Sequence, residues 1–185
     1  MLFSHDTERA LHCIVDLVNS APTSDAQDLL AGVAALRRFV AEHRVSEVGE
    51  LSAADLDEVR ALRSELSAVF DADDDGSAAE VVNTLVSRCA ATPRLTAHDG
   101  YDWHIHYFAP GASLTEHLRI DCGMALAHVV ASGGRGRLRR CAAPDCTHVL
   151  VDLSRNRSKR YCDARTCGNR LHVAAYRERR RTASG

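Results

Sequence analysis

The sequence predicts a mainly helical α+β protein in which an N-terminal helical domain with an inserted β-hairpin precedes a small cysteine-rich domain. Three observations support this prediction. Apolar residues recur at helical spacing, behind helix-capping signals, through most of the first 132 residues. Four of the seven cysteines then form two matched pairs near the C-terminus. A segment rich in glycine and arginine, 133–137, predicts a hinge between domains at 1–132 and 138–182.

Five helices are predicted in the first domain, beginning with one at about residues 6–18. Each later helix follows a capping box, in which a serine and an acidic or amide side chain three residues on accept hydrogen bonds from free backbone N–H groups. The four boxes begin at Ser24, Ser52, Ser77 and Ser113. Between the last two helices, residues 94–97 and 103–108 flank Asp99-Gly100, a strong turn signal, and predict the β-hairpin.

The second strand of this hairpin carries two histidines. Side chains alternate across a strand, so His104 and His106 share one face. The simpler interpretation makes this a polar outer face and places Trp103 and Ile105 in the core. In the alternative interpretation, His104 and His106 form a ligand-binding site for a metal ion or for an anionic small-molecule effector, whose binding repositions the C-terminal domain.

The paired cysteines predict a metal site. Cys141-x4-Cys146 and Cys162-x4-Cys167 are separated by fifteen residues. Thiolates are preferred ligands of zinc, and structural zinc sites take four ligands in a closed tetrahedron, so we expect one structural zinc ion bound by all four cysteines. Two disulfides or four unrelated buried thiols are the alternatives. Disulfides need an oxidising compartment, and the sequence carries no export signal.

The residues around the cysteines predict two short strands and a helix. Residues 139–141 and 148–153 have the composition of strands on either side of the first cysteine pair. Asp163 is a suitable N-cap for a helix at about 164–180. This order of knuckle, hairpin and helix predicts a treble-clef-like zinc finger.

Charge is divided unequally along the chain. The formal net charge is only −2, but residues 135–185 hold 14 basic and 4 acidic side chains, a net of +10, and the preceding residues carry −12. A small cationic module is typical of nucleic-acid binding. An anionic membrane surface or an acidic protein, including the N-terminal domain itself, is the alternative partner.

Two groups of residues are candidates for DNA contacts. On the predicted helix, arginine and asparagine side chains are suited to guanine and adenine edges in a major groove. They are Arg165, Asn169, Arg170 and Arg177. Basic side chains in the polar turn between the cysteine pairs are suited to phosphate contacts. They are Arg155, Arg157, Lys159 and Arg160. Asn169 and Arg170 have an alternative structural role beside the metal. The small footprint of one finger favours either a homodimer or a second DNA contact from the N-terminal domain.

Three segments carry a resemblance to a known family. Cys167-Gly168-Asn169-Arg170, together with Val151-Asp152-Leu153-Ser154-Arg155-Asn156 before it and Ala174-Ala175-Tyr176-Arg177 after it, resembles the CGNR zinc-finger family. In that family the finger follows an ABATE domain, and the proteins are regarded as stress-induced bacterial transcription regulators. Asp16-Leu17-Val18-Asn19 and the total length agree with such a domain. The resemblance implies zinc binding and DNA binding, without a target sequence or an inducing signal.

Several other functional classes find no support in the sequence. The motifs of serine hydrolases, zinc proteases, phosphate-binding loops and dinucleotide-binding folds are absent, so we predict no enzymatic activity. Asp71-x-Asp73-x-Asp75-Gly76 matches the first half of a calcium loop, but Val82 stands where a bidentate glutamate is needed. No apolar run approaches the ~18 residues of a membrane span. Seven cysteines, an odd number, and the lack of an export signal predict a cytoplasmic protein, which the expected DNA binding makes nucleoid-associated.

Three hypotheses therefore remain for function. The first is a zinc-dependent DNA-binding regulator whose N-terminal domain acts in sensing or dimerisation. The second is a zinc-stabilised module that binds a protein or RNA. The third is a small-ligand-binding domain that carries the finger as a structural appendage.

Overall fold

The computed structural model describes residues 3–97 and 103–169, together with Val173 and Arg180. The helices in the described part are α1 (His5–Asn19), α2 (Val33–Glu42), α3 (Ala53–Ser67), α4 (Asp75–Ser87) and α5 (Leu114–Ala131). The strands form two antiparallel pairs, β1 (Arg94–Thr96) with β2 (His104–His106), and β3 (Leu138–Arg140) with β4 (Val149–Val151). The predicted mainly helical α+β architecture with two hairpins is confirmed. No helix in this part of the chain combines the length and the apolar character that crossing a membrane requires.

Helix α5 is the centre of the N-terminal domain. It packs against α1, α3 and α4 and buries residues on all of its sides, as a helix surrounded by other helices does. Gly123 permits the close approach of α4, because a Cβ atom at this position would lie 2.9 Å from Cγ2 of Val86. The core of the domain is thus arranged in layers around one apolar helix.

Two of the four predicted capping boxes are confirmed, those of Ser52 at the start of α3 and Ser113 at the start of α5. The box predicted to begin at Ser77 is wrong. The N-cap of α4 is Asp74, whose Oδ1 accepts a hydrogen bond from the backbone N–H of Ser77 at 2.7 Å, while the Ser77 hydroxyl accepts one from the Asp74 N–H at 3.2 Å. Ser77 therefore closes a box that begins three residues earlier.

The predicted start of the second helix, after Ser24, is also wrong, because α2 begins only at Val33. The preceding segment is tied to α3 by Asp28, which accepts hydrogen bonds from Nη1 and Nη2 of Arg63 at 2.9 and 2.7 Å. Only 6% of the Arg63 side chain is exposed, so its charge needs a partner. The hydrogen bond from Arg63 lowers the pKa of Asp28 despite the opposing effect of burial. This tertiary ion pair overrides the local helical signal.

The β3–β4 hairpin joins the C-terminal segment to the N-terminal domain. Leu138 pairs with Val151 in this hairpin, and both belong to the same apolar core as the helices. The preceding segment, 133–137, contains a 3₁₀ turn that ends at the buried Arg137. Nη1 of Arg137 donates to the backbone carbonyls of Asp152 and Ser154 at 2.8 and 2.9 Å. The C-terminal segment therefore begins inside a core that it shares with the helices.

Asn19, the last residue of α1, binds the edge of β4. Its Nδ2 donates to the carbonyl of Val149 at 2.9 Å, and its Oδ1 accepts from the N–H of the same residue at 2.8 Å. The Asn19 carboxamide thus satisfies both backbone groups of Val149, which is fully buried, as a neighbouring strand would.

An ion pair adds a second connection between the two regions. Nε and Nη2 of Arg140 each donate to one carboxylate oxygen of Asp71 at 2.6 Å, and Nη2 also donates to the hydroxyl of Ser67 at 3.1 Å. The hydrogen bonds from Arg140 lower the pKa of Asp71. Both partners are partly exposed, so this pair contributes less to stability than the buried contacts of Asn19.

We expect Asn19→Ala to lower the free energy of unfolding by about 2–6 kcal/mol, because two buried backbone groups of Val149 lose their partner and each costs about 1–3 kcal/mol when unsatisfied. Urea denaturation followed by circular dichroism measures the change. Asn83→Ala, at an exposed position on α4, is the matched control and is expected to change stability little. Equal effects of the two substitutions would contradict the role assigned to Asn19.

Candidate metal centre

The four predicted ligand cysteines converge at one end of the β3–β4 hairpin. Cys141 follows β3, Cys146 lies in the loop before β4, Cys162 follows the basic turn, and Cys167 lies in a π-helical turn (Ala164–Gly168). Their four sulfur atoms all lie within 4.8 Å of one another. Sγ of Cys162 is 3.7 Å from Sγ of Cys146 and 3.7 Å from Sγ of Cys167.

This spacing fits a tetrahedral zinc ion. Zn–S bonds of about 2.3 Å at tetrahedral angles place neighbouring sulfur atoms about 3.8 Å apart. A disulfide requires about 2.05 Å, and all seven cysteines are free. The two-disulfide alternative is therefore excluded.

Backbone hydrogen bonds position the ligands. The N–H of Cys141 donates to the carbonyl of His148 at 2.8 Å and so extends the hairpin by one residue beyond β3. The N–H of Cys162 points at Sγ of Cys141, 3.4 Å away. The predicted N-cap is also present, since Oδ1 of Asp163 accepts a hydrogen bond from the N–H of Thr166 at 2.7 Å.

The electrostatics of the cluster favour a bound cation. Burial raises the pKa of Cys162, and the neighbouring thiols raise it further. Burial also opposes ionisation of Cys141, but N–H groups of Cys162 and Ala143 stabilise its thiolate and lower its pKa overall. One thiolate is thus favoured locally, whereas four thiolates together need the charge of a metal ion.

Comparison with protein-family models gives the same result. Residues 137–180 match the CGNR zinc finger. Residues 11–133 match ABATE, whose description is "putative stress-induced transcription regulator". The chain belongs to the ABATE family. Its C-terminal segment is a CGNR zinc finger that holds one metal ion with its four cysteines, and the resemblance noted in the sequence is confirmed. No curated protein matches the chain.

The predicted phosphate-binding residues of the CGNR finger lie on one loop after β4 and are all exposed. They are Arg155, Arg157, Lys159 and Arg160. The guanidinium of Arg160 lies 5.7 Å from the ring centroid of Tyr161, which directs part of its side chain along the surface. The loop therefore presents a concentrated positive charge beside the zinc ligands.

A buried carboxylate shapes this loop. Asp152 is 0% exposed and accepts hydrogen bonds from the backbone N–H groups of Ser154 and Lys159, each at 2.9 Å. Nη1 of Arg139 lies 3.5 Å from Oδ2 of Asp152 and donates to the carbonyl of Arg157 at 3.2 Å. The side chains that position the loop are thus distinct from those that it exposes.

The predicted base-contacting residues are placed only in part. Arg165 is exposed on the π-helical turn, and Asn169 is exposed just after it. Arg170 and Arg177 lie outside the described residues, as does most of the predicted helix at 164–180.

The two histidines of the ABATE domain face the opposite way from the simpler prediction. His106 is 6% exposed and His104 is half-buried, whereas Trp103 and Ile105 are 75% and 47% exposed. Phe108 explains the difference, because it is 3% exposed and lies on the same alternating face as the histidines. Burial of this phenylalanine turns the histidines inward, and the polar outer face predicted for them is wrong.

The inward face of β2 borders a cavity of about 390 Å³. Residues of α1, α5 and the segment after α2 form the rest of its wall, and five histidines contribute to it. They are His43, His104, His106, His117 and His128. A cavity of this volume, with both apolar and imidazole groups in its wall, has the character of a small-ligand site.

Two structurally important residues were not predicted from the sequence. Asn19 ends the Asp16-Leu17-Val18-Asn19 segment that carried part of the family resemblance, so a signal was present, but its partner is distant in the chain. Asp71 belongs to the acidic segment that resembles half of a calcium loop. Its pairing with Arg140, and the capping role of Asp74, give these carboxylates structural roles.

We expect the purified protein to contain one zinc ion per chain and Cys146→Ser to lose nearly all of it, because a structural site needs all four thiolates. Metal analysis by mass spectrometry measures the content. Cys89→Ser, at a half-buried thiol outside the cluster, is the control and is expected to retain zinc. Undiminished zinc in Cys146→Ser would remove this residue from the ligand set.

Proposed function

We propose that this protein is a zinc-dependent, DNA-binding transcription regulator in which the CGNR finger contacts DNA and the ABATE domain senses a signal. The observation that carries the proposal is an exposed basic loop held in place beside a four-cysteine metal centre. The family description as a transcription regulator supports it. Such a protein acts at the nucleoid, within the cytoplasm.

The charge distribution supports a phosphate-bearing partner. Residues 135–185 carry a net charge of +10, and a zinc ion bound by four thiolates reduces this by about two. Arg137 and Arg139 donate to backbone carbonyls of the finger, so their charges serve mainly to hold its shape. The exposed arginines and lysine of the loop after β4 remain directed to solvent, where duplex phosphates can approach them.

Helix α1 supports communication between the ABATE domain and the finger. Cys13 on this helix borders the cavity, and Asn19 binds β4 of the finger. Six residues of α-helix separate them by about 9 Å, so a ligand that moves α1 also moves the strand beside the metal centre. Because α1 connects the cavity with the finger, we include sensing by the ABATE domain in the proposed function.

We assign no catalytic role to the protein. Four thiolates complete the coordination of a zinc ion and leave no position for substrate or for a reactive water molecule. The zinc ion then acts only by folding the finger.

We expect Arg157→Ala combined with Lys159→Ala to reduce DNA affinity and its salt dependence. Each phosphate contact contributes about 0.9 to the slope of log affinity against log salt concentration, so two lost contacts lower the slope by about 2. Fluorescence anisotropy with duplex DNA at several salt concentrations measures both quantities. Arg37→Ala combined with Arg38→Ala, which removes the same charge from an exposed part of α2, is the matched control.

Selection of bound nucleic acid from a random duplex pool tests the proposal more broadly. Enrichment of a sequence motif is the expected outcome. Absence of DNA binding by the zinc-loaded protein would contradict the proposal, and preferential recovery of single-stranded RNA would favour an RNA-binding role. An unchanged salt slope in the double variant would remove the basic loop from the interface.

Dimerisation through the outer face of the β1–β2 hairpin is also part of the proposal, because one finger covers few base pairs. Leu95 and Ile105 are cross-strand neighbours on this face and are 69% and 47% exposed. We expect Leu95→Ser to weaken a dimer detected by sedimentation equilibrium. Leu29→Ser, at a leucine that is 68% exposed elsewhere, is the matched control. A monomeric wild-type protein at high concentration would contradict dimerisation.

A further inference from the structure

The cavity of the ABATE domain brings two imidazole nitrogens close together. Nε2 of His104 and Nε2 of His106 are 2.9 Å apart. Both residues lie on the inward face of β2, and both border the cavity. Two nitrogens at this distance either share one hydrogen bond or bind the same metal ion.

The distance selects a type of coordination. Two nitrogen ligands about 2.05 Å from a metal ion are about 2.9 Å apart when the angle at the metal is 90°, and about 3.3 Å apart at a tetrahedral angle. The pair therefore fits neighbouring positions of a square-planar or octahedral ion better than two positions of a zinc tetrahedron. Ni²⁺ and Cu²⁺ are the divalent ions that favour such geometry with imidazole ligands.

A carboxylate and an aromatic ring lie next to His106. Nδ1 of His106 lies 3.8 Å from a carboxylate oxygen of Glu47, and Nη2 of Arg94 holds Glu47 by contacts of 2.6 Å to both oxygens. The ring of Phe108 packs against the imidazole at a centroid distance of 4.7 Å. Glu47 thus places a carboxylate on the Nδ1 side of His106 without a hydrogen bond to it, while Nε2 is directed toward His104 at the candidate ligand position.

From these contacts we infer that His104 and His106 form a second metal site, which takes Ni²⁺ or Cu²⁺. In the described part of the chain, no third histidine, cysteine or carboxylate joins this pair in a compact group. The remaining coordination positions face the cavity, where water or a small anionic ligand completes the shell. A site with two protein ligands exchanges its ion readily, in contrast to the closed four-cysteine centre. Exchange with the surroundings is the property that a metal-responsive site requires.

Metal analysis after equilibrium dialysis tests this inference. The tag-free, zinc-loaded protein is dialysed against Ni²⁺, and the expected result is one nickel in addition to one zinc per chain. His104→Asn is expected to weaken nickel binding at least ten-fold and to leave zinc unchanged. Asparagine keeps a polar side chain at this half-buried position, and retained zinc together with an unchanged circular dichroism spectrum shows that the variant is folded.

Another histidine of the cavity, which lies outside the His104/His106 pair, provides the matched control. His128 lies on α5 and is not part of the pair; its Nε2 is 3.3 Å from the hydroxyl of Tyr107. His128→Asn is therefore expected to retain nickel. Loss of nickel in His128→Asn but not in His104→Asn, or no nickel uptake by the wild-type protein, would overturn the inference.

Absorption spectroscopy distinguishes the new site from the finger. Nickel bound by imidazole and oxygen ligands gives only weak bands, whereas nickel that displaces zinc from thiolates gives an intense sulfur-to-metal charge-transfer band. The intense band accompanied by zinc release would overturn the inference. The readouts are metal content and absorption, so they do not depend on DNA binding, and failure of the proposed function leaves this result unaffected.

Discussion

The convergence of four thiolates on one cation is the constraint on which the C-terminal segment depends. Among the described residues, the buried members of the small apolar cluster around the site are Cys141, Ala143 and Leu150, and the other three ligand cysteines and Tyr161 pack against it. Such a cluster buries too little apolar surface to fold the segment by itself. Metal binding supplies the missing free energy and also removes the repulsion between thiolates.

The finger is anchored to the helices by contacts that are largely neutral. Leu138 and Val151 extend the main core, and Asn19 satisfies both backbone groups of Val149. The pair of Arg140 with Asp71 is ionic and partly exposed, and such a pair contributes at most about 1 kcal/mol. The acidic domain and the basic finger are thus attached through a shared apolar core. The basic loop remains exposed in this arrangement.

Helix α1 connects the cavity of the ABATE domain with the finger. Its middle, at Cys13, borders the cavity, and its C-terminal residue Asn19 binds the finger. Packing against α5 keeps the helix rigid along this length. The cavity and the metal centre are thus linked by a single element of secondary structure.

The sequence by itself determined the metal ligands and much of the helical framework, because these depend on residues that are near in the chain. The spacing of the cysteines defined the zinc site, and the capping boxes at Ser52 and Ser113 were correct for the same reason. Tertiary structure alone decided the start of α2, where Asp28 pairs with Arg63, 35 residues away. It also decided the contact of Asn19 with a strand 130 residues away. Local sequence patterns do not show which distant residue a polar side chain will bind. The start of α2 and the contact of Asn19 both depended on such a distant residue.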